Sequence, residues 1–130
     1  MTEAEIRDLA NRFFAAIEGS DPDGVEACYA PEAQIWHNYD RASQSRAENV
    51  LVLKGFVQIT RSRRYTERDL KVYAGGFSQQ HLLVAESLGG AVLELPAALF
   101  CDVVDGRITR LREYFDPAPV AAWRAQPNFD

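Results

Sequence analysis

Four strand-like segments follow one another in the second half of the chain, and this succession limits the possible folds more than any other feature. The segments cover residues 65–74, 77–88, 91–104 and 107–115. Each neighbouring pair is separated by a short turn signal: Gly75-Gly76, Gly89-Gly90 or Asp105-Gly106. An Asp-Gly pair between alternating apolar residues is a strong hairpin signal. Because strands joined by such short turns pair antiparallel, the sequence predicts an antiparallel meander.

The first half of the chain has the patterns of helices instead. Residues 2–19 carry apolar side chains at helical spacing, and Thr2 and Glu5 have the spacing of a capping box. Cap, proline and alternation signals predict the remaining elements: a helix from Asp21-Pro22 to Pro31, a strand at 33–39, a helix from the Ser45/Glu48 capping box to about residue 62, and a short helix that begins at Asp116-Pro117. Helices segregated from a run of antiparallel strands predict an α+β fold, in one domain that spans residues 1–130.

Composition argues against several classes of partner. The formal net charge of −5 disfavours nucleic acid, because nucleic-acid binding depends on cationic contacts to phosphate. No apolar run is long enough to span a membrane, and the acidic N-terminus lacks the parts of a signal peptide. We therefore expect a cytoplasmic protein without a membrane partner. The basic cluster Arg61, Arg63 and Arg64 is interpreted as the end of the third helix. Both cysteines, Cys28 and Cys101, are expected to be small buried residues.

Alternation along the strands places two ionisable side chains on apolar faces. Glu113 shares its face of the last strand with Leu111. His37 shares its face of the first strand with Ile35 and Tyr39. A buried carboxylate without a partner is costly, and a nearby imidazole would satisfy it. Such a pair in an apolar pocket is typical of general acid–base catalysis, provided that the two strands converge.

The other two strands of the meander differ in how clearly they show an inner face. In residues 91–103 every odd position is apolar, so these positions are predicted to face the core. In residues 77–88 both faces mix polar and apolar side chains. We interpret His81, with Gln79 and Gln80, as part of a polar pair on the outer face. Contact between His81 or Gln80 and a polar group of a substrate is the alternative.

Two stretches and the order of elements resemble a known group of proteins. The stretches are EACYAPEAQIWHN after the second helix and VVDGRITRLREYFDP near the end, and they resemble SnoaL-like proteins of the nuclear-transport-factor-two-like superfamily. This group includes ketosteroid isomerases, SnoaL-type polyketide cyclases and limonene-epoxide hydrolases. The resemblance implies a cone-shaped fold, in which three N-terminal helices wrap a curved, mostly antiparallel sheet around a central apolar pocket. It also implies a homodimer.

The resemblance implies roles for the same two residues that alternation singles out. His37 falls where the isomerases have a catalytic aspartate, and where the epoxide hydrolases have a water-binding asparagine. Glu113 falls where the cyclases and the epoxide hydrolases have a catalytic aspartate. Both residues are therefore predicted to be catalytic.

Other positions depart from every catalytic set of the group. The oxyanion-hole tyrosine of the isomerases falls at Phe13, and their second oxyanion acid falls near Leu99. The arginine and aspartate of the epoxide hydrolases fall at Leu82 and Val84, and polar residues of the cyclase pocket fall near Ala97 and Leu99. The resemblance thus implies an apolar pocket. We expect its substrate-binding residues to be Phe13, Ile35, Tyr39, Gln80, His81, Leu82, Val84, Ala97, Leu99 and Cys101.

Together these observations favour a cofactor-independent enzyme that acts on a small hydrophobic molecule, as an isomerase, cyclase or epoxide hydrolase. His37 would be the general acid or base, and Glu113 would orient it, protonate it or activate a water. No metal site is expected, because two histidines without a ligand cluster fall short of the usual sets. The alternative is a binding protein without catalysis, since fold does not fix function. A third hypothesis is a structural dimerisation module whose side chains fill the pocket.

Overall fold

The computed structural model describes residues 1–130, and it has the predicted order of elements with one additional short strand. That strand, Ser43–Ser45, has only three residues and no alternation pattern that the sequence could reveal. The elements in chain order are α1 (Glu3–Glu18), α2 (Pro22–Cys28), β1 (Tyr29–His37), β2 (Ser43–Ser45), α3 (Arg46–Ile59), β3 (Thr60–Tyr73), β4 (Gly76–Ser87), β5 (Val92–Val104), β6 (Arg107–Phe115) and α4 (Ala118–Arg124).

Both predicted capping boxes form. The Thr2 hydroxyl accepts a hydrogen bond from the Glu5 amide, and the Glu5 carboxylate accepts one from the Thr2 amide. Ser45 and Glu48 repeat the arrangement at the start of α3. Asp116 behaves differently from the prediction: its carboxylate accepts from the Ala118 amide, but Pro117 occupies the cap position of α4 and offers no side-chain hydrogen bond.

Two predicted helix ends are wrong, because strand pairing takes over earlier than the sequence indicates. The second helix ends at Cys28 rather than Pro31, since a residue before proline disfavours helix and Tyr29 already pairs with β6. The third helix ends at Ile59 rather than near residue 62, because Thr60 pairs with β4.

The basic cluster therefore lies on β3 and does not end α3. Its central residue, Arg63, is buried and donates a hydrogen bond to the Ile17 carbonyl oxygen, at 3.1 Å, in the last turn of α1. The guanidinium also contacts the hydroxyl groups of Thr60 and Ser20. A cation does compensate a helix C-terminus here, but the helix is α1.

The six strands form one mostly antiparallel sheet in the order β2-β1-β6-β5-β4-β3. Neighbouring strands of the meander pair antiparallel, as predicted. The exception is β1, which pairs with β6 in parallel, and the register places His37 beside Glu113. The α+β prediction is confirmed. The parallel pair places β1, the first strand in the chain, beside β6, the last one.

The helices cover one face of the sheet, and the buried hydrophobic residues between helices and sheet form two separate cores. The larger core joins α1 and α2 to the sheet, with Leu9 and Phe14 among its fully buried residues. The smaller core gathers around Trp123 of α4, together with Leu93 and Leu95 of β5. Both predicted cysteine placements are confirmed, since Cys28 and Cys101 are buried and free.

The opposite face of the sheet carries an aromatic cluster. Trp36, Phe100 and Tyr114 lie edge to face, and Phe100 and Tyr114 are exposed. The structure contains one chain, so the homodimer stays a prediction. None of the helices combines the length and the apolar character that a membrane crossing needs.

Candidate functional site

A cavity of about 550 Å³ lies between the two cores, and 19 of its 25 lining residues are hydrophobic. Helix α3 explains why the space stays open. Val50 is its one fully buried residue, while its other inward-facing side chains, Leu53, Phe56 and Ile59, line the cavity and are only half buried. An apolar molecule in this space would cover side chains that the protein alone leaves uncovered.

His37 and Glu113 meet on the wall of this cavity. The distance from His37 Nε2 to Glu113 Oε1 is 3.2 Å, and the side chains are 10% and 24% exposed. The contact follows from the parallel pairing of β1 and β6, in which the two residues are direct neighbours. The Asn38 amide also donates to the Glu113 carbonyl oxygen at 3.1 Å, which fixes the two strands at this point.

The two residues differ in what they offer to a bound molecule. His37 Nδ1 is enclosed and has no hydrogen-bond partner, and the ring lies against the rings of Tyr39 and Phe115. The Glu113 carboxylate contacts no polar side chain other than His37, and more of it is exposed. The free lone pairs of Glu113, rather than the enclosed nitrogen of His37, are therefore available to the cavity.

The structure brings together some of the predicted substrate-binding residues and separates others. Phe13, Ile35, Tyr39 and Leu99 line the same cavity as the histidine–carboxylate pair. Cys101 and His81 are buried outside the cavity lining, and Ala97 is half buried and also outside it.

The remaining three predicted residues, Gln80, Leu82 and Val84, point away from the cavity. The odd positions of β4 are buried under the helices, except that the half-buried Leu83 lines the cavity, so these even positions belong to the outer face of the sheet. Their expected place in the pocket is therefore wrong. The sequence could not decide between the faces of this strand, because each carried both polar and apolar side chains.

His81 is also placed against expectation, since it lies on the inner face in a chain of hydrogen bonds. Gln79 Oε1 accepts from Arg68 Nε at 2.7 Å, so the Gln79 amide nitrogen is directed at His81 Nδ1, 2.8 Å away. Nδ1 therefore accepts, and the proton of the neutral ring is on Nε2. Burial lowers the pKa of His81, and the charge of Arg68 acts in the same direction, whereas Glu113 opposes it.

This lowered pKa predicts a loss of stability in acid. The unfolded chain protonates His81 near the ordinary pKa of 6.5, whereas the folded chain protonates it only at lower pH. The neutral His81 ring therefore contributes its full share to the free energy of unfolding above pH 6.5. This share is lost as the pH falls toward the lowered pKa of the folded protein. Urea unfolding between about pH 7.5 and about pH 5 should show a larger loss in the wild type than in His81→Gln. Equal losses in the two proteins would contradict this assignment.

Several lining residues were not found from the sequence. Tyr29 and Tyr65 both line the cavity, as does Asn49, and the Tyr29 hydroxyl donates to Asn49 Oδ1 at 2.9 Å. Trp123 closes another side, and its Nε1 donates to the Ala91 carbonyl oxygen at 2.9 Å. The apolar face of α3 was the one signal that could have led to part of this lining.

Comparison with known proteins concerns the fold. The sequence matches no protein-family model and no curated protein. Among solved structures, a proposed polyketide cyclase from Xanthomonas campestris pv. campestris superimposes with a TM-score of 0.81 at 18% identity, covering 93% of this chain and 97% of that one. An NTF2-like protein from Burkholderia xenovorans gives a TM-score of 0.75 at 17% identity, over 94% and 97% of the two chains.

The chain has the NTF2-like fold. AclR, a proposed hydroxylase from Streptomyces galilaeus, shares this fold with a TM-score of 0.83 at 15% identity, over 97% of this chain and 100% of that one. The resemblance seen in the sequence is thus confirmed at the level of the NTF2-like fold. The similar structures are described as different kinds of protein, such as a cyclase and a hydroxylase. Function therefore has to be inferred from the residues of the site.

Proposed function

We propose that the protein is a cofactor-independent enzyme in which Glu113 moves a proton to and from a small hydrophobic molecule held in the cavity. The observation that carries the proposal is the 3.2 Å contact between His37 Nε2 and a Glu113 oxygen on the wall of an apolar cavity. A carboxylate held by an imidazole in apolar surroundings is suited to general acid–base catalysis.

The geometry favours Glu113 as the catalytic group and His37 as a positioning residue. Glu113 has the greater exposure and no other polar side-chain partner, so its carboxylate can approach a substrate. His37 Nε2 lies 3.2 Å from that carboxylate, while its other nitrogen is enclosed. His37 thus holds the Glu113 side chain in its orientation through this contact.

Of the three reaction classes, the isomerase or cyclase type fits the cavity best. Epoxide hydrolysis of the kind implied by the resemblance needs an arginine and a second carboxylate, but the corresponding Leu82 and Val84 are apolar and lie on the outer face. Glu113 is the sole carboxylate on the cavity wall. A single carboxylate can take a proton from a carbon beside a carbonyl group and return it at the same or another carbon.

Deuterium exchange tests this proposal without knowledge of the natural substrate. The probe is 2-tetralone, an apolar bicyclic ketone with methylene protons beside its carbonyl group. In D₂O, proton NMR should show a saturable loss of these methylene signals that depends on the concentration of wild-type protein. The C–H bond breaks, its proton goes to Glu113, and its electron pair moves to the carbonyl group to form an enolate. The Glu113 proton exchanges with D₂O, and the carboxyl group then returns a deuteron to the carbon as the enolate reverts to the ketone. Exchange no faster than in buffer or with urea-unfolded protein would count against the proposal.

A binding protein remains the second candidate, because the lining is so largely hydrophobic. It predicts that 2-tetralone binds but exchanges no deuterium faster than in buffer. The same NMR samples therefore distinguish the two functions, since ligand line widths report binding and signal loss reports exchange.

A further inference from the structure

Three tyrosines line the cavity, and their hydroxyl groups differ in what they already bind. The Tyr29 hydroxyl donates its hydrogen to Asn49. Tyr39 is 47% exposed, so water can solvate its hydroxyl. The Tyr65 hydroxyl makes no hydrogen bond within the protein, although Tyr65 is a lining residue. Tyr65 is therefore a partly buried tyrosine of the cavity wall whose hydroxyl has no partner within the protein.

The free hydroxyl of Tyr65 is not fully enclosed by the protein, and Tyr65 is one of the lining residues of the cavity. His37 Nδ1 is the one fully enclosed side-chain polar atom that lacks a partner. The Tyr65 hydroxyl lacks a partner as well, so it must retain accessible surface, and the cavity is the space that Tyr65 lines. An unsatisfied donor in apolar surroundings is costly, and a ligand oxygen would remove that cost.

The ring of Tyr65 is held in place from several sides. It packs edge to face against Phe14 and His81, with ring centroids 4.9 Å and 4.7 Å away. Its backbone amide donates to Glu18 Oε2 at 2.9 Å, and Tyr65 pairs with Leu83 on β4. The hydroxyl group is thus a preorganised donor, and a ligand need not order it.

The hydroxyl also stays protonated under ordinary conditions. Burial raises the pKa of Tyr65, and the negative charge of Glu113 raises it further. Tyr65 and Glu113 both line the cavity. The cavity wall therefore offers a bound molecule a hydrogen-bond donor as well as a carboxylate.

We propose that Tyr65 donates a hydrogen bond to a carbonyl oxygen of the substrate, so that the substrate is an apolar ketone or a related carbonyl compound. The proposal deepens the proposed function and rests on it for the link to turnover. It supplies a donor from β3, whereas the positions at which the resemblance implies donors, Phe13 and Leu99, have none. The substrate carbonyl oxygen, on which negative charge develops, would then be hydrogen-bonded to Tyr65. Glu113 would remove a proton from the carbon next to that carbonyl group.

A matched pair of ligands tests the role of Tyr65 by binding alone. The ketone 2-tetralone and the hydrocarbon 2-methylidenetetralin differ in having C=O or C=CH₂ at the same position. Quenching of tryptophan fluorescence can report binding, because Trp123 lines the cavity. Tyr65→Phe should lower the preference for the ketone over the hydrocarbon by about 5- to 10-fold, as expected for one lost hydrogen bond. Its urea midpoint should match the wild type, since no hydrogen bond within the protein is lost.

Tyr73→Phe is the control, because Tyr73 lies on the same strand, is exposed and is not part of the cavity lining, and this variant should keep the wild-type preference. An unchanged preference in Tyr65→Phe, an equal loss in Tyr73→Phe, or a wild-type protein that binds neither ligand would overturn the proposal. The two proposals fail separately. Loss of the preference in Tyr65→Phe without any deuterium exchange by the wild type supports Tyr65 as the donor and rejects the enzyme. Exchange by the wild type with an unchanged preference in Tyr65→Phe supports the enzyme and rejects Tyr65 as the donor.

Discussion

Glu113→Gln lowers the saturated rate of deuterium exchange into 2-tetralone by about 100- to 10,000-fold, which is the range for loss of a general acid or base. The substitution keeps the size of the side chain and removes its ability to accept a proton. Glu94→Gln is the matched control, because Glu94 is an exposed carboxylate on the outer face of β5, and this variant should exchange at the wild-type rate.

Substitutions of His37 separate a positioning residue from a catalytic base. His37→Leu removes the imidazole that contacts Glu113 and should cost roughly 10- to 100-fold in rate, the range for losing a polar partner of a charged group. His37→Gln keeps a polar N–H group beside Glu113 and should recover part of the rate, and combining His37→Leu with Glu113→Gln should cost no more than Glu113→Gln alone. A larger loss in His37→Leu than in Glu113→Gln, without recovery by His37→Gln, would instead make His37 the base.

The largest effect on stability is expected at Trp123, which anchors α4. The indole is 2% exposed, packs against Phe56 and Phe129, and donates to the Ala91 carbonyl oxygen. Trp123→Ala should reduce the free energy of unfolding by about 3–5 kcal/mol, because the smaller core loses its largest side chain beside a cavity that is already open. Trp123→Phe keeps an aromatic ring and should cost less than Trp123→Ala.

Urea unfolding followed by far-ultraviolet circular dichroism measures these differences. Trp36→Ala is the control, since Trp36 is half buried on the outer face and contacts Tyr114 across one strand boundary. It should cost clearly less than Trp123→Ala. Equal losses in the two alanine variants would show that the smaller core does not stabilise the chain in the way described.

The sequence predicted the face of the sheet on which the central residues lie, but not their contact. Alternation alone placed His37 and Glu113 on apolar faces, because side chains alternate along any strand. Their contact depends on a parallel pair between β1 and β6, which are far apart in the chain. No local turn signal specifies such a pair, whereas the antiparallel meander follows from its turns.

Tyr65 shows a second limit of the sequence. A β-bulge between Thr66 and Asp69, with Glu67 at a φ of 52°, shifts the register of β3 beside Tyr65. A bulge adds a residue on one strand and so breaks the alternation from which faces are predicted. The many charged residues of this strand also hide its apolar side. The position of Tyr65 on the cavity wall was therefore visible only after the strands and helices were in place.

Binding and exchange, measured in the same samples of wild type and Glu113→Gln, test directly whether Glu113 moves the proton of a bound ligand. Both proteins should bind 2-tetralone with similar affinity, and only the wild type should incorporate deuterium faster than in buffer at saturation. This result would show that the cavity holds the ligand and that Glu113 moves its proton. Equal exchange rates in the two proteins at saturation would contradict the assignment of Glu113 as the proton-transferring group.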